Sequence, residues 1–200
     1  MVAPVATHTS LHYLLPGILH ALGNSIFAAE GHANLLEGES TDADSKAMII
    51  SAVRESRQAL DVLRCLASDD GDLTPVTDEL LESLLKFLRI PLRDQGLRLQ
   101  LDQGASDPGC HVSGPLFCNC LVAAVQSIAT RVPEGCRLSI SLRCTVEESG
   151  HVAMVLHSVN APGFLPFPLD LASVTTEIAF CGAIDVSAGS ESVKIILPSG

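Results

Sequence analysis

No tryptophan occurs in this chain of 200 residues and tyrosine occurs once, so aromatic side chains make up only 4%. That scarcity disfavours a stacking platform for nucleic-acid bases or sugar rings. Basic residues are also few, 12 Lys and Arg against 23 Asp and Glu. The formal charge of −11 argues against nucleic acid and membrane surfaces as partners. No uncharged apolar run reaches the roughly 18 residues of a spanning helix. The first ten residues lack the basic start and long apolar run of a secretory signal, so the expected location is cytoplasmic. The seven cysteines (Cys65, Cys110, Cys118, Cys120, Cys136, Cys144 and Cys181) are odd in number and follow no disulfide framework. That usage fits a reducing compartment. Cys118-Asn119-Cys120 has no second pair at zinc spacing, so buried thiols are expected and no metal site.

What is present is enough apolar material for a core. Hydrophobic residues are 47% of the chain and mean hydropathy is +0.35. The length suits one large or two small domains.

The N-terminal third reads as two helices. Ser10 can cap the first, whose apolar positions run Leu11, Leu14, Ile18, Leu22, Ser25, Ala29, His32 and Leu36. Steps of three and four make a seam that faces a partner helix. Pro16 lies inside this pattern and either kinks the helix or starts its main part. A polar turn over 38–42 leads to a second helix with Ile49, Val53, Ser56, Leu60, Leu63 and Ala67 in the same rhythm. The pair forms an antiparallel hairpin over 1–70, and a hairpin alone cannot bury its seam. A second copy would complete a dimeric four-helix bundle, so a homodimer is expected.

Asp69 to Asp72 reads as a linker, and 71–200 as a mixed α/β domain. Asp78 to about Leu88 is helical. Leu97, Leu99 and Leu101 alternate as a strand, and Pro115 to Thr130 is an apolar helix. Leu138 to Cys144 and Val152 to Leu156 alternate around a turn over 147–150. A short helix over 169–179 and two closing strands, at Ile184–Val186 and Val193–Leu197, complete the order. The fold class is α+β: a helical hairpin followed by a two-layer α/β sandwich.

Two segments carry a family resemblance. His20-Ala21-Leu22-Gly23-Asn24 resembles the phospho-accepting box of sensor histidine kinases, with Leu two and Asn four residues after the histidine. Gly182 to Ser187 and Ile195-Ile196-Leu197-Pro198 look like the closing strands of the kinase ATP-binding domain. The resemblance implies dimerisation helices followed by a degenerate ATPase-like domain, a pseudokinase frame. Asn119 to Ser127 matches the helix that binds Mg-ATP, with Ala123 where the family has its metal-binding Asn. Val159 to Gly163 matches the adenine-reading box, with Val159 in place of Asp. The Gly-rich lid has shrunk to Phe164-Leu165-Pro166-Phe167-Pro168, which cannot cradle phosphate with backbone N–H groups. The expectation is that this chain holds no nucleotide cofactor.

The kinase box also departs, with Ala21 where the family has Asp or Glu, so self-phosphorylation is not expected. Phosphotransfer asks for less. A response-regulator receiver domain brings its own aspartate, Mg²⁺ and lysine, and needs from its partner an accessible neutral imidazole. His20 is two residues from both Ile18 and Leu22, about 200° around, hence opposite the seam. Gly17, Gly23 and Asn24 surround it there. Arg54, Arg57 and Arg64 on the second helix are a solvated face, or meet a receiver if they flank His20.

The function expected is a histidine phosphotransferase of a two-component phosphorelay, shuttling phosphoryl groups between receiver aspartates through His20, with Asn24 in support. Receivers and a hybrid histidine kinase are the partners that this implies. The competing reading is a catalytically inactive adaptor that docks receivers or kinases. A kinase with unusual nucleotide binding fits least. His32 reads as an interface histidine, and His8, His12, His111, His151 and His157 as structural.

Overall fold

Two long helices open the chain and lie against each other: α1 (Ala6–Leu36) and α2 (Ala43–Ala67). The computed structural model describes residues 6–36, 43–67, 72–92, 95–106, 109–159, 175, 178, 183–189 and 191–199. The expected turn over 38–42 lies outside them. So do the lid segment 164–168 and most of the expected helix 169–179, of which Thr175 and Ile178 are helical.

α1 starts at Ala6, four residues before the expected cap at Ser10, and runs through Pro16. Proline has no N–H to give the carbonyl one turn back, so the helix is held there by its neighbours. Those neighbours are α2, α3 and α4.

The α/β part begins with β1 (Leu73–Pro75) and α3 (Asp78–Leu92). The Thr77 hydroxyl accepts from Leu80 N, and Asp78 and Glu79 set negative charge against the positive helix end. Next come β2 (Leu97–Ser106), β3 (His111–Ser113) and α4 (Gly114–Ala129). The Ser113 hydroxyl caps α4 by accepting from Leu116 N, with Pro115 in the first turn, where its missing N–H costs nothing. β4 (Leu138–Val146), β5 (Val152–Ser158), β6 (Asp185–Ala188) and β7 (Ser192–Leu197) follow.

The main sheet has the order β2-β4-β5-β7-β6, with β2 parallel to β4 and the other neighbours antiparallel. Its inner face is the alternating set Leu138, Ile140, Leu142, Cys144, Val152, Met154, Leu156, Val193, Ile195 and Leu197, all buried. β1 and β3 pair separately as a small antiparallel ribbon. That ribbon is absent from the sequence reading because three-residue strands, one ending in Pro75, are too short to show alternation.

One apolar core runs through both parts. It joins Leu14, Ile18, Ala59, Val62 and Leu66 of the hairpin to Leu84, Phe87, Phe117 and Leu121 of the α/β layer. Each fully buried Leu or Phe contributes about 1.5–3 kcal/mol. Two glycines permit the close approach. A Cβ on Gly17 would lie 2.3 Å from the Phe87 carbonyl oxygen, and one on Gly114 would lie 2.5 Å from that of Cys65.

The hairpin seams differ from expectation in their assignment. On α1, Leu14, Ile18 and Ser25 of the seam expected to need a second copy are instead buried within the chain, joined by Ala21, whereas Leu11 is exposed. On α2 the buried stripe is Ser45, Ala52, Ala59, Val62 and Leu66. The expected stripe lies on its flank, with Val53, Leu60 and Ala67 exposed. The physical reason is that α2 has apolar residues on two adjacent stripes. Periodicity finds both, and only packing against α1 and α4 selects the inner one.

Candidate functional site

His20 stands near the middle of α1, exposed. At about 100° per residue, it lies roughly 130° around from the buried Leu14–Ile18–Ala21–Ser25 stripe. Asn24, one turn on, donates from Nδ2 to His20 Nε2 at 3.0 Å. With Nε2 accepting, the ring proton sits on Nδ1, and the lone pair available for chemistry is the one that Asn24 holds. Gly23 is exposed, and a Cβ there would meet nothing within 4 Å. Phe27, on the same face, is 79% exposed.

Gly17 does not belong to this face. It is buried against the Phe87 backbone, where it serves packing, so its smallness opens the α1–α3 contact rather than access to His20. Helical spacing put it near His20 on the wheel; the position of α3 put it inside.

Ala21, the residue after the histidine, is buried, so a carboxylate at that position would face the core instead of the imidazole. The acid that the hairpin does contain is elsewhere. Glu55 of α2 accepts from the buried Ser25 hydroxyl at 3.3 Å and pairs with Lys86 of α3 at 3.0 Å. This three-helix link ties α1, α2 and α3 just beyond the His20 level.

The arginines are on the outer side of α2. Arg54 and Arg57 line an open groove of about 660 Å³ between α2 and α3, with Gln58, Glu79 and Glu82. Arg57 and Arg64 also pair with Asp61, at 3.9 and 3.1 Å. Such exposed pairs contribute little to stability.

The α4 face that resembles a nucleotide-binding helix looks at α1. Tyr13, two helical turns before His20, lines a cavity of about 430 Å³ with Gln95, Ala123, Gln126, Ser127 and Thr130. Burial raises the Tyr13 phenol pKa, and the nearby Gln95 side chain partly offsets it. Among the described residues, the hydroxyl has no hydrogen-bond partner in good geometry. Val159 caps the end of β5, its N–H donating to Ser139 O at 2.8 Å. The rest of the box that it opens, 160–163, lies outside the described residues.

One polar cluster escaped the sequence reading. His157 Nε2 is 2.7 Å from Ser141 Oγ and 3.2 Å from Asp102 Oδ2. Register explains it, since Ser141 pairs directly with His157 across β4–β5 and Asp102 follows on β2. The parity of these positions on the non-core face was the available signal. Both partners share one nitrogen, so the cluster is not a relay of the Ser-His-Asp type, which needs both ring nitrogens. Among the described residues, no group of three His, Cys, Asp or Glu side chains could hold a metal ion, and no helix is long and apolar enough to cross a membrane. His32 is half-buried, and its Nδ1 has no partner among the described residues.

No family model and no curated protein sequence matches this chain. Solved structures do resemble it in arrangement. A bacterial phosphotransferase is similar at 16% identity over 99% of this chain and 100% of its own, with a TM-score of 0.39. Histidine kinase AdeS of Acinetobacter baumannii is similar at 18% identity over 90% of this chain and 98% of its own, TM-score 0.40. The histidine kinase domain of the Erythrobacter litoralis blue-light kinase EL346 is similar at 9% identity over 86% and 95%, TM-score 0.45. At scores this low, the fold rests on the chain's own topology.

Proposed function

We propose that this chain is a histidine phosphotransfer protein of a two-component relay, with His20 as phospho-acceptor. The observation that carries the reading is the exposed His20 imidazole, whose Nε2 is set as the lone-pair nitrogen by Asn24. In the transfer step, Nε2 attacks the phosphorus of a receiver's aspartyl phosphate. The P–N bond forms, the P–O bond to the carboxylate breaks, and the ring proton stays on Nδ1. The return step reverses this onto a second receiver. Asn24 must swing off Nε2 for attack, a rotation of one exposed side chain. Metal and lysine chemistry would come with the receiver, and the proposal assigns no ATP-dependent step to this chain. In support, Ala123 stands where a metal ligand would and Tyr13 of α1 faces the same surface.

The functional unit in this proposal is a homodimer. Leu15, Leu19, Leu22 and Ile26 follow one stripe of α1, about 130° from His20. Ile49, Val53, Leu60 and Leu63 follow the flank of α2. Ile26 and Val53 are 62% and 60% exposed, a loss of burial that a second copy would recover in a four-helix bundle. Light scattering at micromolar concentration should give twice the chain mass. A monomer would remove this part of the proposal.

An adaptor that docks receivers without transfer is the second reading, favoured by the hydrogen bond that occupies Nε2 and by the buried Ala21. Radiolabel transfer from phosphorylated receivers separates the two. Label that is acid-labile and alkali-stable on wild type, and absent from His20→Ala, supports transfer. Binding of a receiver with no label leaves the adaptor, and label retained in His20→Ala moves the acceptor elsewhere.

A further inference from the structure

The joint between the hairpin and the α/β layer contains a thiol pair to which no role above applies. Cys65 in the last turn of α2 and Cys118 in the second turn of α4 face each other, with their Sγ atoms 3.8 Å apart. Both are buried. The pair is held in place from two further sides. A Cβ on Gly114 would lie 2.7 Å from Cys65 Sγ and 3.0 Å from the Thr74 hydroxyl, so the glycine leaves the space that the sulfur fills. Thr74 of β1 hydrogen-bonds to the same thiol.

The two sulfurs are chemically unequal. The hydrogen bond from Cys118 lowers the Cys65 pKa, burial opposes this, and Thr74 adds to the lowering. The same contact with Cys65, together with burial, raises the Cys118 pKa well above the ordinary thiol value. Cys65 has the additional hydrogen bond from Thr74 and is the less enclosed of the two, so it takes the attacking role and Cys118 the resolving one.

We propose that Cys65 and Cys118 form a redox modification site, which hydrogen peroxide converts to a disulfide that fastens α2 to α4 and a thiol reductant reopens. The Cys65 thiolate attacks one peroxide oxygen. The S–O bond forms, the O–O bond breaks, and the departing hydroxide takes a proton to leave as water. Cys118 then attacks the Cys65 sulfur. The S–S bond forms, the S–O bond breaks, and the oxygen leaves with the Cys118 proton as a second water. The two thiols lose two electrons together and the peroxide gains them. Closing from 3.8 Å to a disulfide length asks each sulfur to move by about 0.9 Å. In a reducing compartment such a bond is transient, as a sensor requires.

Exposure alone would select a different residue. Cys136 is half-buried and is the most accessible described cysteine, while Cys65, Cys110, Cys118, Cys120 and Cys144 are buried. The experiment therefore sets pairing against exposure. The folded full chain is titrated with hydrogen peroxide, alkylated under denaturing conditions and mapped by mass spectrometry. The expected first product is a linked Cys65–Cys118 peptide, with the intact mass lowered by about 2 Da for the two hydrogens lost. Dithiothreitol should reverse it, and the oxidised chain should have the higher Tm. Cys136→Ser should keep the linked peptide, and Cys65→Ser should lose it. Oxidation of Cys136 first, with Cys65 and Cys118 both still alkylated, overturns the proposal. Disulfides between chains as the first product overturn it as well. The wild-type map decides the matter even where a serine variant fails to fold.

Discussion

Helices α1 and α4 each carry a segment that resembles a chemical box, and the fold treats them in opposite ways. In α4, 13 of 16 residues are buried, including Asn119 and the thiols Cys118 and Cys120. Its half-buried Ala123 faces a cavity shared with Tyr13. In α1, His20, Gly23 and Asn24 are exposed together, and among the described residues the His20 ring hydrogen-bonds to Asn24. A helix enclosed on nearly every side keeps residues that pack. A helix open along one face can keep a polar pair whose use needs another molecule. Thus α4 is scaffold and the outer face of α1 is open surface, though the two helices touch.

The largest test of that contrast is a pair of truncations. Phe117→Ala in α4 should lower unfolding free energy by about 3–5 kcal/mol, as expected for a fully buried aromatic. His20→Ala in α1 should change it by no more than about 0.5 kcal/mol. Urea denaturation of both reads the difference directly. A His20→Ala loss above about 2 kcal/mol would make His20 a structural residue and erase the contrast.

The next test uses two glycines of α1. Gly17→Ala should destabilise by about 1–3 kcal/mol, because its new methyl meets the Phe87 backbone. Gly23→Ala has open space and should stabilise by roughly 0.5–1 kcal/mol through helix propensity. Opposite signs in the same denaturation series sharpen the division between the inner and outer faces. Equal signs would mean that α1 does not sit on α3 as described.

The smallest effect concerns the polar pair itself. Asn24→Ala removes the one hydrogen bond that must break before Nε2 attacks, about 1 kcal/mol, so phosphotransfer should quicken by about fivefold. A slower rate would show that Asn24 also contacts the transferring group, and no transfer in either form would leave the adaptor reading.

Much of the architecture was legible in the residues. The strands at Leu97, Leu138, Val152 and Val193 follow from strict alternation with one buried face. The α4 boundaries agree to within one residue at each end, because Ser113 and Pro115 mark its start. What escaped was local in scale or remote in sequence. The β1–β3 ribbon is too short to show a period. The Asp102, Ser141 and His157 cluster draws on three strands, and only their register brings it together. Of the site, His20, Gly23 and Asn24 lie on one exposed face as their spacing indicates. Gly17 does not, because a helical wheel has no knowledge of the next helix.

The sequence by itself determined which residues are apolar and at what period, and hence the helices, the strands and the outward direction of His20. These follow from local geometry, 3.6 residues per turn or two per pleat, and from the free energy of removing apolar groups from water. Tertiary structure alone decided which of two apolar stripes on α2 turns inward, that Gly17 is a contact rather than an opening, and that Cys65 meets Cys118 across 53 positions of chain. Those outcomes depend on the packing of several elements at once. Close-packed surfaces accept one arrangement of side-chain shapes, and no single segment encodes the shape of its neighbour.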